Sequence, residues 1–117
     1  MELKIAIAKV DRHGSSTSGD TVEVTERPNG GISVVLADGQ KDQIDQKSIS
    51  TMVSHRVIEY ISQGMRDSAA IRSASNNIFA EYQAQVQAHV NVVSVDFQSN
   101  TILISRNNSI PVFLITE

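Results

Sequence analysis

The chain has 117 residues, no cysteine and a formal net charge of −3. That length suits one domain around one core; the lack of cysteine excludes disulfides and thiolate metal sites, and the absence of a basic patch or aromatic platform argues against a nucleic-acid partner. Met1-Glu2-Leu3-Lys4 enters an alternating pattern directly, and no apolar run approaches the roughly 20 residues that span a bilayer, so a cytoplasmic protein with no membrane partner is expected.

Leu3, Ile5 and Ile7 alternate with Lys4, Ala6 and Ala8, and Val10 follows. Period two predicts a strand over 2–10. Residues 11–20 are small, polar and glycine-bounded, which predicts a loop able to carry a site. Val22 and Val24 alternate with Thr21, Glu23 and Thr25, a strand with one wet face. Arg27-Pro28-Asn29-Gly30-Gly31 is a strong turn signal. The run 32–37 then reads as a strand buried on both faces, ending on Asp38, with Gly39 allowing a sharp turn. A hairpin closed at 28–31 brings its two ends side by side. Asp20 and Asp38, at those ends, are therefore expected to be neighbours.

The polar stretch 40–47 leads into a helix. Ile49, Met52, Val53, Val57, Tyr60 and Ile61 have helical spacing, so a helix is expected over 45–62, with Gly64 at its C-terminal cap. Asp67 or Ser68 is the expected N-cap of a second helix running to about residue 86, with Ile71, Ala74, Ile78 and Tyr82 as its stripe and Phe79 beside it. Strands are expected over 90–97, 101–105 and 110–115, separated by turns at 98–100 and 106–109. Pro111 suits the start of a strand or an edge. The expected order is βββααβββ, an α+β chain.

Asp20 and Asp38 are the sharpest chemical pair. Hard carboxylate oxygens suit Mg²⁺ or Mn²⁺, and the Gly39 carbonyl has no Cβ to block an approaching ion. The same residues also fit a plainer reading, in which Asp20 caps a loop and Asp38-Gly39 is a turn dipeptide. Asp42 and Asp45 are candidate ligands, or else acids placed at a helix start, where they favour the macrodipole. Arg12 shares the loop with Asp20 and is the candidate to hold a substrate oxyanion, or else a surface residue. His13, His55 and His89 lack metal-site spacing and read as solvated. Neither a Gly-x-Ser-x-Gly elbow nor a phosphate-cradling P-loop is present.

The succession of Ser18-Gly19-Asp20, a hairpin, and Val34-Val35-Leu36-Ala37-Asp38-Gly39 resembles the metal-dependent protein serine/threonine phosphatases, the PPM family. It is most similar to the compact bacterial branch that includes the sporulation stage II phosphatase and the stress-response feedback phosphatase. Lys47-Ser48-Ile49-Ser50 in the following helix and the segment Ile104-Ser105-Arg106-Asn107-Asn108-Ser109-Ile110-Pro111-Val112 continue the resemblance over most of the chain. It implies an antiparallel β-sandwich flanked by helices, with two Mn²⁺ or Mg²⁺ ions at one end. Asp38 would be the catalytic residue that bridges both ions, Asp20 would bind one, and the Gly39 carbonyl would contribute. The nucleophile would be a metal-activated water attacking a phosphoserine or phosphothreonine of a protein substrate.

Where the family carries further glycines after its Asp-Gly, this chain reads Gln40-Lys41-Asp42-Gln43-Ile44-Asp45. Family members also continue past the equivalent of Glu117, so residues 1–117 are expected to form the N-terminal part of one such domain. In isolation this part is expected to bind metal weakly, to be inactive, and to associate as a dimer through exposed strand edges. The competing readings are a non-catalytic interaction module that keeps the phosphatase scaffold, and an unrelated α+β binding domain.

Overall fold

The computed structural model describes residues 20–28, 30–40, 46–81 and 87–108; for residues 20, 39, 40, 46–48 and 87 only the backbone is described. Within these bounds the chain runs β1 (Asp20–Glu26), β2 (Ile32–Gln40), α1 (Gln46–Ser62), α2 (Asp67–Glu81), β3 (Gln87–Asp96) and β4 (Thr101–Arg106). The expected strands at 2–10 and 110–115, and the expected end of the second helix at 82–86, lie outside the described residues, as do Arg12, Asp42 and Asp45.

The four strands form one antiparallel sheet in the order β1-β2-β3-β4. Each hydrogen-bonds to its neighbour in sequence, so the two halves of the sheet are hairpins joined by the helical pair. In the first hairpin the Gly30 amide donates to the Arg27 carbonyl at 3.1 Å and the Arg27 amide donates to the Gly31 carbonyl at 3.0 Å. Gly31 has φ +118°, and a Cβ there would lie 2.3 Å from the Val95 carbonyl oxygen. Only glycine lets the turn settle against the β3 backbone. In the second hairpin the Asp96 carboxylate accepts from the Gln98 amide at 2.9 Å, and Asn100 takes the left-handed conformation at φ 55°. That amide bond, followed by hydrogen bonding from the Ser99 side chain, holds the Asp96 carboxyl below its ordinary value.

Both helices cover the same face of the sheet. Ile49, Val53, Val57 and Ile61 recur along α1 at four-residue spacing and are fully buried. They meet Ala70, Ile71, Ala74 and Ile78 of α2, and Val35, Ala37, Val90 and Val92 of the sheet, in one apolar cluster. Each such aliphatic side chain stabilises the fold by about 1.5–3 kcal/mol when fully buried. Helix α1 ends as its glycine predicts. The Gly64 amide donates to the Ile61 carbonyl at 2.9 Å and the Met65 amide to the Tyr60 carbonyl at 3.0 Å, with Gly64 at φ +94°. This is the Schellman arrangement.

Three sequence expectations are corrected. First, β2 does not stop at Asp38. It continues through Gly39 and Gln40, because β3 reaches back to Gln87 and supplies partners for them. Second, β2 is not equally buried on its two faces: Ser33, Val35 and Ala37 are closed off beneath the helices, while Leu36 is 42% exposed on the other face. Third, Asp67 does not cap α2. The Arg66 carbonyl accepts the first helical bond, from the Ala70 amide at 2.8 Å. Asp67 follows it as the first residue of the helix, fully occupied elsewhere. Its carboxylate takes Arg27 Nη1 at 2.7 Å and the Ser94 hydroxyl, while Arg27 Nη1 also donates to Ser33 Oγ at 2.7 Å. A guanidinium arriving from the hairpin turn outcompetes the helix amides for that carboxylate.

No helix among the described residues is long and apolar enough to cross a membrane.

Candidate metal-binding end of the sheet

The pairing register builds the site. Asp20, the first residue of β1, is directly opposite Asp38 of β2, and Asp38 is directly opposite His89 of β3. Directly opposed residues share a face and have Cβ atoms about 4.5–5.5 Å apart. The three residues therefore form one row across three strands. The neighbouring row, Thr21, Ala37 and Val90, points the other way and is buried beneath α1. The acid row accordingly lies on the face away from the helices. One step further along that face come Val22, Leu36, Asn91 and Arg106, again directly opposed.

The support beneath the row is polar as well as apolar. Thr21 Oγ1 lies 2.7 Å from Ser50 Oγ and 3.2 Å from Thr51 Oγ1, tying the start of β1 to the first turns of α1. Thr21 is adjacent to Asp20, so this hydroxyl cluster locates the acid through its strand. On the other side Asn107 holds β3. Its Nδ2 donates to the Ala88 carbonyl at 2.9 Å, and its Oδ1 accepts from the Val90 amide at 2.8 Å. These are the backbone groups that flank His89. Asn107 thus extends the β3–β4 pairing past Arg106, the last residue of β4.

Among the residues singled out in the sequence, the fold brings Asp20 and Asp38 together as the hairpin requires. Gly39 sits inside β2 opposite Ala88, one residue past the start of β1. Arg12 lies outside the described residues. His55 is exposed, with Nε2 3.2 Å from Glu23 Oε1. His89 corrects the expectation of a solvated ring: the residue is partly buried, and its Nδ1 is shut off from solvent with no hydrogen-bond partner. Asn91 Oδ1 is in the same condition. His89 was missed because the strand was expected to begin at Val90, which left His89 just outside it; Asn91 lay within the expected strand and was not singled out. The alternation of His89 and Asn91 with the apolar Val90 and Val92 is the signal that places them together on one face.

A pair of opposed carboxylates is a costly feature for a sheet, since like charges directly across strands repel. A cation held on that face would offset the repulsion. Hard oxygen donors fit Mg²⁺ or Mn²⁺, and the orphaned polar atoms of His89 and Asn91 lie on the same face. Among the described residues no group of three or more His, Cys, Asp or Glu side chains is arranged to hold a metal ion. Compared with known proteins, the chain matches no family model, and no curated protein matches it significantly.

Proposed function

We propose that this chain forms part of a metal-dependent serine/threonine phosphatase domain of the PPM type, acting on phosphorylated proteins in the cytoplasm. The observation that supports this reading is the direct opposition of Asp20 and Asp38 at one end of the sheet. The family resemblance asks for two acids, far apart in sequence, to meet at the mouth of a hairpin. In this reading Asp38 would be the shared ligand of the divalent ions and the residue on which catalysis depends, Asp20 would hold one ion, the Gly39 carbonyl would contribute, and Arg12 would contact the phosphoryl oxygens.

The exposed apolar face of the sheet, with Val24 47%, Leu36 42% and Ile102 55% exposed, is the face a second sheet would cover to complete a sandwich. The outer strands of the described sheet are β1 and β4. Pairing of one of them with a second copy would give a dimer, which light scattering reads directly.

Bound divalent ions would lower the pKa of a coordinated water and stabilise the charge of an in-line displacement at phosphorus. The chain's own contribution is to hold carboxylates on rigid strands, so that little reorganisation is needed when the phosphoryl group arrives. The test is manganese-dependent hydrolysis of p-nitrophenyl phosphate and of a phosphoserine peptide by the complete domain. Asp38→Ala should abolish turnover and Asp20→Ala should cripple it, with the fold kept by circular dichroism. A folded domain with no turnover under any divalent ion would favour the non-catalytic module, and wild-type turnover in Asp38→Ala would overturn the assignment.

A further inference from the structure

We propose that His89 and Asn91 extend the acid pair into a mixed nitrogen–oxygen cation site that prefers Co²⁺ and Zn²⁺ to Mg²⁺. The inference rests on the reading of Asp20 and Asp38 as metal ligands and adds to it a choice among metals. Four observations carry it. His89 is directly opposite Asp38, so imidazole and carboxylate rise from the same face on adjacent strands. Asn91 lies two residues further along β3, on that face again.

The third observation is that His89 Nδ1 and Asn91 Oδ1 are both buried and both lack a hydrogen-bond partner. An imidazole nitrogen without a proton offers a lone pair to a cation. An amide oxygen presents lone pairs always. Two orphaned polar atoms on the face that carries Asp38 are groups a bound cation would satisfy. Arg106 is directly opposite Asn91, yet the Asn91 oxygen takes no hydrogen bond from it.

The fourth observation is the support. Asn107 clamps the backbone on both sides of His89, through the Ala88 carbonyl and the Val90 amide. The backbone that carries the ring is thereby fixed, which is what a ligand position needs. Mg²⁺ strongly favours oxygen and keeps its waters, whereas imidazole suits Co²⁺ and Zn²⁺. The nitrogen therefore raises the affinity for Co²⁺ and Zn²⁺ more than that for Mg²⁺.

The experiment is calorimetric titration of the protein with Co²⁺, Zn²⁺ and Mg²⁺, repeated on His89→Ala, His89→Gln and Asp38→Ala. Circular dichroism checks that each variant is folded. Nitrogen-15 imidazole spectra of the wild-type protein with Zn²⁺ give a readout that needs no variant to fold. The expected result is Co²⁺ and Zn²⁺ binding about tenfold or more tighter than Mg²⁺, a loss of about that factor in both His89 variants, and Mg²⁺ affinity unchanged within about twofold. The Nδ1 resonance of one histidine should shift on addition of Zn²⁺. If the His89 variants keep full Co²⁺ and Zn²⁺ affinity while Asp38→Ala loses it, the acid pair stands and the role of His89 is overturned. If no ion binds the wild-type protein, both are overturned.

Discussion

Asp20 and Asp38 are directly paired across β1 and β2, two acidic residues at one register position of a hairpin. Like charges directly opposed across two strands repel. In the metal-free protein Asp20→Asn is therefore expected to raise stability slightly, most clearly at low salt, where screening is weakest. Urea denaturation at two ionic strengths checks this. A loss of stability at both would mean that Asp20 serves the fold and not a cation.

At the turn end of β1, away from the Asp20 end, Arg27 and Asp67 form a buried clamp with Ser33 and Ser94. The Asp67 side chain is fully buried, whereas that of Arg27 is 25% exposed. The two partners should therefore respond unequally to removal. Arg27→Ala leaves a buried carboxylate with only the Ser94 hydroxyl, at a cost of about 3 kcal/mol. Asp67→Ala leaves a guanidinium that reaches water and still donates to Ser33, so its cost should be smaller. Midpoints of urea unfolding in the opposite order would show that the clamp is held mainly by the arginine's packing.

Gly30 and Gly31 stand side by side in the turn but under different constraints. Gly30 has φ +82° and open space around it. Gly30→Ala should cost about 1–2 kcal/mol, the penalty of the left-handed conformation. Gly31→Ala adds a clash with the Val95 carbonyl oxygen on top of its own positive φ and should cost clearly more. Thermal melts of the two variants make the comparison. Equal losses would mean that the turn can lift away from β3.

Much of this geometry was legible in the sequence, and the rest has a physical reason for being hidden. The hairpin could be read because Val22 and Val24 alternate and Pro28 to Gly31 spell a turn; those two facts set a register that pairs the acids. The helices could be read because Ile49, Val53, Val57 and Ile61 repeat at helical spacing and Gly64 closes the first helix. Local pattern does not reveal what depends on a distant partner. The extension of β2 through Gly39 needed the early start of β3. The role of Asp67 needed Arg27, 40 positions away. His89 looked solvated because only the assembled sheet shows that it lies next to Asp38.

Ser54 offers a test of the core. It lies on the buried face of α1 between Ile49 and Val57, fully enclosed, and its hydroxyl has no hydrogen-bond partner. A buried unpaired hydroxyl costs about 1–3 kcal/mol, and alanine is the better helix former. Ser54→Ala should stabilise the protein by about 1 kcal/mol or more. A destabilised variant in urea would reveal a hydroxyl partner at that position. Ser50, one turn earlier, should behave oppositely, since its hydroxyl is bonded to Thr21.

The most direct test of the central claim is calorimetric titration of the 117-residue protein with Mn²⁺, alongside Asp38→Ala. Two carboxylates can hold one hard cation loosely, with waters completing its shell. A second ion about 4 Å away would need more carboxylates to offset the repulsion between the two. The account predicts weak, saturable binding of one Mn²⁺ to the wild-type protein and none to a folded Asp38→Ala variant. Identical titrations for the two proteins would contradict it, because the opposed acids would then have no part in holding the metal.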